Sequence, residues 1–340
     1  MSRKLCIGLS MFLVFGWTGL NRAVAADGAI AARYTLKLGH TTAKDAQDEI
    51  AIQFAKEVEQ RSGGKIKVEV YNAGQLGNDV KMNRDVRAGA QEGIVQPVDF
   101  MVNFVPAMGA LQLSGLFPNY EVQMKVLTGK NKAVELLSKK SQDVGVEIVA
   151  FYPVGFTQLA TTFPIRRFED LKGHKLRARG APELILEAKS WGAIPIPLPL
   201  GEVYTSLQQK LVEGTQNSVD LLEMFKFYEV AKYVTETGHQ ASTGAIVINK
   251  KWLDSLPADL QKAVRDGGQA AGAAAMKIVA KLETQAWDTM KKKAIYFKFP
   301  EEERAKMKAS IKPVWDMVRN DPAKAEVLDA LVQAVDAATK

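Results

Sequence analysis

The side chains best equipped for chemistry lie in "HKLRARGAP", residues 174–182, where Lys175, Arg177 and Arg179 alternate with Leu176 and Ala178. On an extended strand this spacing puts the three cations on one face and the apolar pair on the other. Two meanings follow. The cations form a solvated basic face at a strand edge, or an arginine at the end of a parallel strand projects into the crevice where such sheets bind ligands. There its planar fork grips a carboxylate through two charge-assisted hydrogen bonds. Periodicity alone does not choose between them.

Signatures of catalysis are missing. The chain has no phosphate-binding Walker loop, no Gly-x-Ser-x-Gly elbow and no His-Glu-x-x-His. His40, His174 and His239 are far apart and lack metal-ligand spacing. "GGQAAG" at 267–272 sits inside a helical pattern instead of following a strand, so it is no dinucleotide fingerprint. No catalytic residue, metal or cofactor is expected, and the chain is not expected to be an enzyme.

At 340 residues, 47% hydrophobic and 24% charged, the composition is that of a globular protein long enough for two domains. Arg3 and Lys4 precede an apolar run from Leu5 to Leu20, and "AVAA" follows at 23–26. This reads as a secretory leader over residues 1–26, cleaved near Ala25 or Ala26, because the run is shorter than the ~20 residues a membrane span needs. The only cysteine, Cys6, leaves with that leader, so no disulfide is available and a bacterial periplasm is the expected compartment. Losing Arg3, Lys4 and Arg22 lowers the net charge from +7 to +4. The remaining charge is mixed in sign along the helices, which argues against nucleic-acid binding.

The elements that must position the arginines are legible as periods. "YTLKLGH" and "KIKVEVY" alternate as strands, and "GIVQPV" is a short buried one. Between them, Ile50, Phe54 and Val58 recur at helical spacing before Gly63 and Gly64, and a second helix with Val80, Met82 and Val86 stops at Gly89. Strand and helix in alternation predict a parallel sheet covered by helices. The pattern restarts at "VGVEIVAFYPVGF", "HKLRAR", "GAIPIPL" and "GTQNSV". Prolines 195, 197 and 199 restrict their segment to an edge strand or an extended connection. From Pro257 to Lys293 a helical pattern runs unbroken by proline, about 55 Å if continuous, although Gly267, Gly268 and Gly272 weaken its middle. "IYFKF" reads as a strand, and two terminal helices are expected after it. Tyr204, Leu207 and Leu211, at helical spacing, are expected in the core.

The blocks "GHTTAKD", "FAKEVEQRSGGKIKVEVYNAGQLGND", "FEDLKGHKLRARGAP", "WGAIPIPLPLGEVYTSLQQKLVEGTQNSVD", "KFYEVAKYVTETGH" and "INKKWLDSLPADLQKAV" occur in this order over about residues 34–290. They resemble the periplasmic solute receptors of TRAP transporters, the tripartite ATP-independent carriers of organic acids, including the C4-dicarboxylate and sialic-acid types. The resemblance implies a two-lobed α/β periplasmic binding protein fold, each lobe a mainly parallel sheet flanked by helices, with a long bridging helix. The lobes would comprise 31–154 plus 243–282, and 155–242 plus 283–340. It implies capture of a small organic carboxylate by hinge closure and delivery to TRAP membrane permease subunits, by a protein expected to be monomeric.

It also implies site residues. Arg177 is the arginine that pairs with the ligand carboxylate; Arg179 has no counterpart and is expected at the surface or in an ion pair behind the site, with a ligand contact as the third reading. Asn217 is placed as a hydrogen-bond donor to ligand, or as a turn-former after its strand. Phe156 and Thr157, after Gly155, are placed as ligand contacts, Thr157 falling where many members carry a second arginine. Thr offers no charge, so a monocarboxylate, hydroxy acid or keto acid is expected over a ligand with two separated charges. Asp79 matches a carboxylate that contacts polar ligand groups, or is the N-cap of a helix beginning at Val80. Gln96 and Pro97 fall near the cleft, Leu200 at an apolar wall, and His40 either near ligand or in the core. Two rival readings are a receptor serving an ATP-driven importer or a sensor, and an enzyme on the same scaffold.

Overall fold

A computed structural model describes residues 33–340, so the leader assigned to residues 1–26 lies outside the described residues. The first alternating run is strand β1 (Tyr34–Gly39), followed by helix α1 (Ala46–Arg61), β2 (Ile66–Tyr71), α2 (Asp79–Ala88) and β3 (Gly93–Pro97). β1 pairs in parallel with both β2 and β3, and Ile50, Phe54 and Val58 of α1 are fully buried beneath them. α1 and α2 begin where Asp45 and Asn78 accept hydrogen bonds from backbone N–H groups of the first turn. α2 ends as its glycine required, with Gly89 left-handed at φ 77°. Two 3-10 turns, Val98–Met101 and Pro106–Gln112, and helices α3 (Tyr120–Leu127) and α4 (Lys132–Gln142) complete this half.

Strand β4 (Val146–Thr161), sixteen residues long, runs out of the first half into the second. There follow β5 (Lys175–Ala178), α5 (Pro182–Ser190), β6 (Ile194–Pro197), α6 (Val203–Gln208), β7 (Gly214–Ser218), α7 (Val219–Met224), β8 (Tyr233–Glu236) and β9 (Ala241–Asn249). The sheet order is β2-β1-β3-β9-β4-β7-β5-β6. Pairing within each half is parallel for β1 with β2 and β3, and for β5 with β6 and β7. The strands that cross between the halves are the antiparallel part of an otherwise mainly parallel sheet, and β8 and β9 are strands that the periodicity did not single out. β4 is antiparallel to β7, β8 and β9, and β9 is antiparallel to β3. β6, with its prolines, is the edge strand.

The chain closes with α8 (Lys250–Ser255), α9 (Ala258–Lys293), β10 (Ile295–Lys298), α10 (Glu301–Ser310), α11 (Lys312–Arg319) and α12 (Ala325–Thr339). α9 packs on α1 and β4 at one end and on α7 and β10 at the other, so it braces both halves. Three terminal helices follow β10, not two, because Ile311 breaks the register between α10 and α11. α12 buries Val327, Leu328 and Leu331, and packs back across α3 and α4 of the first half. Leu207 is in the core as expected, but Leu211 is exposed at 57% because α6 ends at Gln208, before its next turn would point inward.

Candidate functional site

The carboxyl ends of the parallel strands in both halves face one cleft, as open α/β sheets arrange their ligand sites. β1 delivers Thr41 and Thr42, β3 delivers Asp99 and Phe100, β5 delivers Arg179, and β6 delivers the Leu198–Gly201 segment. Together they enclose a cavity of about 620 Å3. It narrows to a recess of about 30 Å3 lined by Arg177, Asn217, Ser218, Val154 and Ser242, sharing Thr41, Asp79, Phe100, Arg179 and Leu200 with the outer chamber. The combined size suits a small metabolite.

Arg177 is on the floor. It is 1% exposed, the largest of the fully buried side chains. Its Nε donates to the carbonyl of Leu198 at 3.0 Å, whereas Nη1 has no hydrogen-bond partner. No carboxylate forms an ion pair with it among the described residues. Burial, then the adjacent Arg179 cation, push its pKa down to about 9, against the pull of Asp99 and Asp79. The guanidinium is still charged at neutral pH, but it carries an uncompensated desolvation cost. A carboxylate placed against Nη1 would remove that cost.

Arg179 departs from the expectation of a surface position. It is 8% exposed and lines both chambers. Its Nη1 donates to Asp99 Oδ1 at 3.3 Å, across the cleft, and its Nη2 to Gln240 Oε1 at 3.2 Å. The ion-pair half of the expectation holds, with the pair forming part of the cavity wall. Arg179 thus spends its charge on Asp99, while Arg177 does not.

Asp79 is buried in the wall of both chambers. It is the first helical residue of α2, and the cap is Asn78, so the capping role proposed for Asp79 is not the one it performs. Its Oδ1 accepts from Thr41 Oγ1 at 3.3 Å. Burial, reinforced by Asp99, raises its pKa to about 7, while Thr41 and Arg177 pull it back. Asp45 is raised to about 7 by burial too, with Asp220 among the causes. Burial likewise raises Asp220.

The remaining expected residues divide. Asn217 and Leu200 line the recess, and Thr215 Oγ1 fixes the Asn217 amide by donating to its Oδ1 at 3.0 Å. Gln96 does not line either chamber: it is fully buried and locked to Asn83 by reciprocal amide hydrogen bonds of 2.6 and 2.7 Å. Its neighbour Pro97 lines the recess. Thr157 is one layer behind, with Oγ1 3.1 Å from Ser242 Oγ and 3.3 Å from Gln240 Oε1, the oxygen that also holds Arg179. Phe156 packs at a 44° tilt against Tyr120, centroids 4.7 Å apart, and lines neither chamber. His40 is buried with Nε2 3.2 Å from Asp48 Oδ1, and burial lowers its pKa. Residue types at strand ends do not reveal which way side chains turn, and these four turn inward to the fold.

Sequence reasoning passed over Thr41, Thr42, Asp99, Phe100, Met224 and Phe225, all of which line the cavity. The first four follow strands already recognised, so the rule that loops after parallel strands carry the site would have found them. Met224 and Phe225 follow α7 and carry no such signal. Among the described residues there is no cluster of metal-ligating side chains, and no helix is long and apolar enough to cross a membrane.

Residues 38–321 match the family described as bacterial extracellular solute-binding protein, family 7. The chain is 29% identical over 303 residues to a 2,3-diketo-L-gulonate-binding periplasmic protein of Escherichia coli (strain K12), covering 88% of this chain and 92% of that protein. A crystal structure of a sugar acid binding protein from Advenella mimigardefordensis strain DPN7T, in complex with galactonate, matches with a TM-score of 0.85 at 25% identity, over 91% of this chain and 99% of that one. A TRAP periplasmic solute binding protein from Desulfovibrio salexigens with bound orotic acid matches with a TM-score of 0.85 at 26% identity, over 90% and 99%.

Proposed function

Because the chain belongs to the bacterial extracellular solute-binding proteins of family 7, we propose that it captures a small organic monocarboxylate in the periplasm and hands it to the membrane subunits of a TRAP carrier. It does so as a monomer, after loss of its leader, and performs no reaction on the ligand. One observation carries the ligand class: Arg177 is buried at the floor of the cleft, without a carboxylate partner and with Nη1 unsatisfied. Burying one more anion there pairs the charge, whereas the second cation, Arg179, is already neutralised by Asp99. That favours one carboxylate over two.

The mechanism is a population shift. A ligand that touches both halves stabilises the closed form by the contacts only that form provides. The lobes of this proposal are 31–154 with 243–282, and 155–242 with 283–340, except that α12 travels with the first lobe, against which it packs. The hinge lies where β4 crosses, at the register shift between Pro153 and Gly155. Gly155 has φ 133°, and a Cβ there would meet Ser218 at 2.5 Å, so no other residue fits. A thermal-shift screen against organic acids tests the reading, since selective binding stabilises the folded protein by mass action. Stabilisation by monocarboxylates is expected; stabilisation by dicarboxylates alone, or by no acid, contradicts it.

A further inference from the structure

The recess that holds Arg177, about 30 Å3, has room for little more than a carboxylate group. The rest of a ligand anchored there lies in the outer chamber of about 620 Å3, so the lining of that chamber sets what the rest can be. Its polar side chains are mostly spent on the protein. Thr41 Oγ1 donates to Asp79 Oδ1 at 3.3 Å, and Thr42 Oγ1 to Asp45 Oδ1 at 2.9 Å. Asn78 Oδ1 accepts from the Lys81 backbone N–H at 2.9 Å in capping α2. Arg179 and Asp99 hold each other. A polyhydroxylated acid would bury a donor and an acceptor on every hydroxyl against partners already committed, at a cost for each. The apolar side chains are the ones left over. Phe100, Leu198, Leu200, Met224 and Phe225 line the chamber only half-buried, and Val80 at its wall is 69% exposed. Phe100 comes from the first half and Phe225 from the second. Phe225 is backed by the fully buried Phe227, with 5.4 Å between ring centroids and 12° between planes, so it presents a supported flat face. Apolar surface kept open in a cleft is area that an apolar ligand removes from water.

We propose that the ligand is an aromatic monocarboxylate, with its carboxylate in the recess and its ring in the outer chamber against Phe100 and Phe225. This rests on the reading that Arg177 holds the ligand carboxylate. A ring offers a flat apolar face to the aromatic side chain of each half and asks no hydrogen bond of walls that have few left to give. Because those two side chains come from opposite halves, a ring that touches both favours the closed form by contacts the open form lacks. The apolar body, and not a set of hydroxyls, then carries the selectivity of the cleft.

Phe225→Ala is the informative substitution, because it removes the ring wall and leaves the recess in place. The full mature chain is titrated calorimetrically with three acids, for the wild type, Phe225→Ala and Arg177→Ala. Propanoate fills the recess and little else, phenylacetate adds an apolar ring, and gluconate adds a hydroxyl on every carbon but the carboxyl carbon. Wild type is expected to bind phenylacetate at least tenfold more tightly than either of the others. In Phe225→Ala the phenylacetate-over-propanoate ratio is expected to fall at least tenfold, with thermal melting confirming a folded protein. Gluconate binding wild type as tightly as phenylacetate overturns the inference, as does an unchanged ratio in Phe225→Ala or the failure of all three acids to bind. Binding that depends on Arg177 but shows no preference for the ring defeats this inference alone. If phenylacetate affinity survives in Arg177→Ala, the reading of the carboxylate site has failed and the aromatic assignment falls with it.

Discussion

At the scale of single residues, the site is a problem of two buried arginines solved in two ways. Arg179 is paired with Asp99, which comes from the opposite side of the cleft, and Arg177 has no carboxylate partner, which is what the proposed function gives to a ligand anion. Asp79 makes the stability of the fold depend on pH. Its carboxyl titrates near 7 in the folded protein against 3.8 as its ordinary value, so the folded state holds an extra proton between those limits. The stability contributed by the protonated group is full below about 3.8 and is lost as pH rises through about 7. Asp45 and Glu187, also pushed up to about 7 by burial, titrate in the same window, so the measurement must be a difference between proteins. Asp79→Asn has no proton to lose. Its melting temperature relative to wild type is expected to climb from pH 4 to pH 7.5 by about 5 °C and then level off; a difference that is flat over this range contradicts the burial argument.

At the scale of elements, strands and helices were legible wherever burial is one-sided. Alternation marked β1 and β2, the recurrence of Ile50, Phe54 and Val58 marked α1, and the triple proline marked the edge strand β6. What periodicity hid was direction. The sequences of β4 and β9 are apolar on both faces, and nothing in such a run distinguishes an antiparallel crossing strand from a parallel one. The same limit applies to Thr157 and Phe156, whose orientation follows the bulge in β4, and to Gln96, whose side chain turns to Asn83 from an unbulged β3. For Arg179 the sequence leaves the surface and the ion pair open together, since a charged residue at a turn is normally solvated and its partner Asp99 is distant in the chain.

The glycines of α9 show local preference yielding to packing. Read as helix-weakening, they are the places where the long helix lies directly on the sheet and on α1. A Cβ on Gly268 would meet the carbonyl oxygen of Val149 at 2.6 Å, and one on Gly267 would meet Val58 Cγ2 at 2.7 Å. Gly268→Ala gains about 1 kcal/mol of helix propensity but forces backbone apart in the brace between the halves. A net loss of about 1–3 kcal/mol is expected in urea unfolding, against little change for the exposed Gln269→Ala. Equal stability of Gly268→Ala and wild type would mean that the helix is not held this closely.

At the scale of the whole molecule, the account comes down to two halves of one sheet meeting at a buried cation. Their crossing strands, the α9 brace and the Asp99–Arg179 tie all bring the strand ends together around Arg177. The cavity takes its shape from Leu200, Phe100, Pro197 and Pro199, and its positive charge from Arg177 and Arg179. Residues of both halves line the cavity, so on the proposed function affinity measures closure and charge pairing together. Isothermal titration of the tightest-binding acid into wild type and Arg177→Ala reads that sum directly. The account predicts a loss of about 3–5 kcal/mol on removing the guanidinium, with the fold intact by thermal melting. An affinity within a few-fold of wild type would contradict it, because the anion would then have been held by something other than Arg177.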